Sequence, residues 1–171
     1  MKDIYGNDIR SLISLRELYW ENDFNTNCYA FALGLDIPEN EICENAYQLG
    51  FIGAKEFGLQ IKEIKGLSIE ERFLLDLKAL KIACNEIDEI HQATWQYLGN
   101  YKCRYWDVLL YSNGENFHFV RVNYDGEPYH KVGYFGTPTM YKENTKILNG
   151  YSLVKKYRLR YWKKTESFID I

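Results

Sequence analysis

The hydrophobic pattern of this chain changes period once, and that change limits what it can fold into. Up to about residue 100 the apolar residues recur at spacings of three and four. From Tyr101 onward they alternate, with Asn-Gly and Asn-x-Asp-Gly turns between the alternating runs. A helical period seats one stripe of a helix on a core, whereas a period of two seats one face of a strand. Helices followed by hairpin-linked strands predict an α+β fold, with N-terminal helices and a C-terminal antiparallel sheet. Over 171 residues, with no internal repeat and no linker-like tract, one domain spanning 1–171 is expected.

In the first half, Asp8 caps a helix predicted over residues 9–19, with Ile9, Leu12, Ile13, Leu15 and Leu18 apolar. A short helical run begins near Cys28, and Gly34 limits it to about two turns. Pro38 opens a predicted helix over 39–49, which Gly50 closes. Ser68 and Glu71 form a capping box for a helix carrying Ile69, Phe73, Leu77, Leu80, Cys84 and Ile87 on one stripe. On that stripe Cys84 reads as a buried packing thiol; Cys43 and Cys103 read as structural.

In the second half, strands are expected over 105–111, 117–122, 127–133 and 151–162. Asp107 lies on the first of these, either orienting a neighbour or standing at a strand edge in water. The turn at 123–126, Asn-Tyr-Asp-Gly, suits a three-residue loop with a glycine bulge. That loop sets His130 opposite Val120, so that His118, Val120, His130 and Val132 share one face. A two-residue loop would send the two histidines to opposite faces.

Cys28 follows a polar run, Asn25-Thr26-Asn27, and precedes small and apolar residues. A thiol there gains thiolate stabilisation from free backbone N–H groups and the helix dipole. A strand-borne His118 is a base for its proton, and His130 is placed to orient His118. An oxyanion hole would combine the Cys28 N–H with a side-chain donor, for which Asn25, Asn27 and Tyr19 are candidates. The plain alternatives are a cysteine that fills space at the start of a core helix, and a half-buried strand histidine bonded to a tyrosine. His91 reads as a residue of a solvated helix end.

Composition narrows the partners. A net charge of −3 argues against a broad nucleic-acid footprint. Lys155, Lys156, Arg158, Arg160, Lys163 and Lys164 read as the solvated side of a terminal strand. The four cysteines form no C-x-x-C pair, so no metal site and no cofactor is implied. No apolar run approaches a membrane span, and residues 1–8 hold no apolar signal segment. The expectation is a cytoplasmic protein with reduced thiols, non-classical export or release by lysis staying open. Fifteen tyrosines and four tryptophans suit interface hot spots, which supports a rival reading as a non-enzymatic binding or inhibitor protein.

The order and context of these residues resemble the papain-like cysteine peptidase and amidase superfamily, in its NlpC-type or CHAP-like branch. Asn27-Cys28-Tyr29-Ala30 is similar to that family's nucleophile motif. Asp107-Val108-Leu109-Leu110-Tyr111 looks like the strand before its histidine. His118-Phe119-Val120-Arg121-Val122 looks like the histidine strand, with His130 in the place of the third residue. The resemblance implies a nucleophile helix packed on the antiparallel sheet and a Cys28 acyl-enzyme chemistry with His118 as general base. It also implies hydrolysis or acyl transfer at an amide bond of a protein or peptide substrate.

Overall fold

A computed structural model describes residues 27–35, 48–89, 95–98, 101–122, 126–131, 138–142 and 150–164. Within them the fold is α+β, four short helices and an antiparallel sheet, as the change of period predicts. The helix expected over 9–19, the sequence around Cys43 and His91 lie outside the described residues. So does most of the helix expected over 39–49, although residues 49–50 form a turn.

The sheet is built on two long strands, β3 (Tyr101–Ser112) and β7 (Ser152–Lys164), paired along their full length with one irregularity at Leu110/Tyr111. The outer edge of β7 carries β1 (Ala83–Glu86). The other edge of β3 is shared end to end by β2 (Trp95–Leu98) and β4 (Phe117–Val122). Beyond β4 lie β5 (Pro128–His130) and β6 (Thr139–Met140), giving the order β1-β7-β3-β4-β5-β6. The hairpin between β3 and β4 turns at Gly114, whose φ of 96° suits glycine, and Asn113 Oδ1 accepts the N–H groups of Glu115 and Asn116.

The helices are α1 (Cys28–Leu33), α2 (Phe51–Phe57), α3 (Ile61–Lys65) and α4 (Ile69–Leu80). Ser68 caps α4 as the sequence predicts, its Oγ accepting the Glu71 N–H at 3.1 Å. The helix stops sooner than its apolar stripe does. Lys81 turns left-handed at φ 58° and its N–H closes onto the Leu77 and Lys78 carbonyls. Cys84 therefore sits on β1 opposite Leu159, not on the helix. Its packing role stands, since it lies against the core, and burial with the Glu86 charge pushes its thiol up to about 12. The reason for the difference is a cap built from lysine, which no residue preference announces.

Strand alternation gives the sheet two apolar faces. Trp106, Val108, Leu110, Phe119, Tyr157 and Leu159 form one, against which α1 and α4 pack. Leu109, Val120 and Val122 form the other, covered by Tyr141. Asp107 is neither at an edge nor in water. It is buried on β3 and holds Arg158 of β7 in a two-pronged ion pair at 2.9 and 3.2 Å.

α2 and α4 approach each other so closely that a Cβ on Gly53 would lie 2.5 Å from Leu75 Cγ and 2.8 Å from its backbone. Gly53→Ala should therefore destabilise the protein by about 1–3 kcal/mol in urea unfolding, despite alanine's better helix propensity. A neutral or stabilising result would mean that α2 is not seated on α4 in this way.

Candidate active site

Every residue of α1 after Cys28 is buried, so this short helix is a core element surrounded by apolar side chains. Asn27 starts it, with Oδ1 accepting the Ala30 N–H at 2.8 Å. Gly34, at φ 71°, ends it, as expected. Three further contacts fix its position. Trp106 Nε1 donates to the Ala32 carbonyl at 2.9 Å, taking one of the helix's terminal acceptors. The Tyr29 hydroxyl donates to the Asp76 carboxylate of α4. The Cys28 sulfur lies near enough to the backbone N–H of Phe119 on β4 to feel its dipole.

That last contact has a structural cause. The β4–β5 ladder holds two pairs, Arg121 with Tyr129 and Val122 with Pro128. Two residues further the same register would set Phe119 against Lys131, but the ladder has ended and the Phe119 N–H lies near the thiol. The start of α1 thus reaches the sheet where β5 parts from β4.

The two histidines meet as the turn chemistry predicts. Gly126 is left-handed at φ 82°, and the β4–β5 register is that of the bulged three-residue loop. His118 Nε2 lies 2.9 Å from His130 Nδ1, with the rings nearly perpendicular. Both imidazoles are buried, and His130 packs edge-on to Tyr141. His118 stands across from Tyr111, on the sheet face opposite the one that packs α1.

The thiol and the imidazoles are neutral at pH 7. Burial pushes the Cys28 thiol up, and the backbone N–H groups of Phe119, Tyr29 and Cys28 itself pull it back only in part. The thiolate stabilisation expected at the helix start is therefore outweighed by desolvation. Burial first, and the neighbouring His130 second, lower His118 to about 4. Burial also lowers His130. Cys28 and His118 are not hydrogen-bonded to each other; the thiol rests against the peptide group that joins His118 to Phe119.

Of the oxyanion candidates, Asn27 directly precedes Cys28 and turns its side-chain oxygen to the Ala30 N–H to cap α1, while Tyr19 and Asn25 lie outside the described residues. Among the described residues no group of three or more His, Cys, Asp or Glu side chains could hold a metal ion. Among them, too, no helix is long and apolar enough to cross a membrane. Cations of the basic stretch are engaged within the chain, among them Lys155 with Glu70 and Glu86, Lys156 with the Asp88 carbonyl, and Arg158 with Asp107.

The sequence reading missed Asp76. Fully buried on α4, it accepts the Tyr29 hydroxyl and the N–H groups of Gly50 and Gly53, both at 2.7 Å. An acidic residue adjoining Leu77 on the core-facing side of an apolar helix was the available signal, because a carboxylate there must find donors. No protein-family model, curated protein or solved structure matches the chain.

Proposed function

We propose that this protein is a thiol hydrolase or acyltransferase of papain-like, NlpC-like architecture, acting on an amide bond of a protein or peptide. The observation that carries the reading is the His118–His130 pair, held 2.9 Å apart one residue from the amide that touches the Cys28 sulfur. With Nε2 of His118 engaged by His130, its Nδ1 is the nitrogen left to take a thiol proton. Cys28 forms a bond to the substrate carbonyl carbon as its proton passes to His118. The imidazolium then gives that proton to the departing amine, leaving a thioester. Water or an acceptor amine, deprotonated by His118, releases the acyl group. The Cys28 N–H is the backbone donor for the developing oxyanion.

A neutral thiol and a neutral imidazole suit general-base attack rather than a standing ion pair. The sign follows from the imidazole: protonating His118 removes the base, so reactivity falls as pH drops through about 4. Iodoacetamide labelling followed by peptide mass spectrometry is expected to modify Cys28 faster than Cys84, with an acid limb near pH 4. That limb should vanish in His118→Ala.

The raised thiol, the missing Cys28–His118 bond and the placement of His118 on the sheet face opposite α1 favour a second reading, a binding or inhibitor protein whose histidines serve packing. Slow labelling of Cys28 and Cys84 alike, unchanged in His118→Ala, would overturn the hydrolase reading and leave this second one standing.

A further inference from the structure

The carboxylate of Asp76 gathers three chain segments onto one group. It accepts from the Tyr29 hydroxyl on α1, from Gly50 N–H ahead of α2 and from Gly53 N–H within α2. Tyr29 directly follows Cys28, and its ring is wedged against Phe73, Phe117 and Phe119. Two of those rings belong to β4, the strand that carries His118 and presents its Phe119 N–H to the thiol. The hydroxyl end of Tyr29 is therefore pinned to α4 while its ring bears on the histidine strand. A tyrosine held at both ends in this way sets the depth and rotation of the first turn of α1. α1 is only six residues long, so a shift at Tyr29 passes to Cys28 without being absorbed.

We propose that Asp76 is a positioning residue for the nucleophile, acting through Tyr29 to hold the Cys28 sulfur near the Phe119 amide of the histidine strand. The inference rests on the reading of Cys28 as the nucleophile.

The test uses the full chain and iodoacetamide, reading the rate of Cys28 carbamidomethylation at neutral pH and its pH profile. Tyr29→Phe keeps the ring and removes only the tether, and circular dichroism with urea titration checks that the variant is folded. The expected result is labelling of Cys28 at least about tenfold slower than in the wild type, because a small misplacement of a reacting atom costs rate steeply. Asp76→Asn should slow it in the same direction. A purely structural tether predicts the opposite sign: loosening the fold exposes the thiol, so labelling stays equal or becomes faster. Unchanged or faster labelling in both folded variants, with His118→Ala still slowed, overturns the positioning role and leaves the nucleophile intact. Unchanged labelling in His118→Ala overturns the underlying reading instead.

Discussion

Replacing His118 with alanine is expected to slow hydrolysis of p-nitrophenyl acetate by about 1,000-fold or more, with circular dichroism and urea titration checking that the variant, which loses a buried hydrogen bond, is still folded. Removing a positioned general base commonly costs about two to four orders of magnitude in rate. Here the loss should sit toward the upper part of that range, because burial keeps the Cys28 thiol protonated and only a base can activate it. His130→Ala should reduce the rate by less, since the base remains and only its orientation is lost. Release of p-nitrophenol gives both numbers, with Cys28→Ala as the baseline. Equal rates in the wild type and His118→Ala would remove His118 from the chemistry.

Asp76→Leu is expected to leave the protein marginally folded or unfolded. Tyr29, Gly50 and Gly53 would each keep a buried donor with no acceptor. Each such group costs about 1–3 kcal/mol, so the three together rival the usual stability of a domain of this size. Asp76→Asn, which retains an acceptor oxygen, should be far milder, and it isolates the effect of charge. Burial raises the Asp76 carboxyl from 3.8 to about 6, against the hydrogen bonds from Tyr29 and the α2 backbone, which pull it down. Between those values the folded chain holds a proton that the unfolded chain has released. The contribution is therefore full below about pH 4 and is lost as pH rises through about 6. Relative to Asp76→Asn, wild-type stability should fall by about 2 kcal/mol between pH 4 and pH 7. Urea titrations at the two values measure it. A difference that rises with pH would show that the Tyr29 and α2 backbone donors outweigh desolvation.

The parts of this fold that were legible in the sequence are those set by local chemistry. The Asn-x-Asp-Gly turn fixed the β4–β5 register, and with it the meeting of His118 and His130, because only one loop type places both on one face. Gly34 and Ser68 marked helix ends through their own backbone preferences and capping bonds. What was hidden depends on tertiary partners. Nothing in Ala79-Leu80-Lys81-Ile82 signals a helix end, since the left-handed turn falls on a lysine; the strand that follows gains its stability from β7. Asp107 could be read either as orienting a neighbour or as standing at a strand edge in water, because Arg158, the partner it holds, lies fifty-one positions away. The helices α2 and α3 are short and glycine-bounded, and α2 is held by a carboxylate from another helix. The loss of thiolate stabilisation at Cys28 was equally hidden, for it comes from the apolar cluster around α1 rather than from the helix start.

The central claim is that Cys28 forms an acyl bond with help from His118, and trapping that bond tests it most directly. The protein is mixed with p-nitrophenyl acetate at neutral pH, quenched in acid, digested and examined by mass spectrometry. The account predicts one acetyl group on Cys28, formed within the first turnover, absent from Cys28→Ala and strongly slowed in His118→Ala. Acetylation spread over Cys84 and the lysines with Cys28 unmodified, or an adduct forming at the same rate without His118, would contradict it.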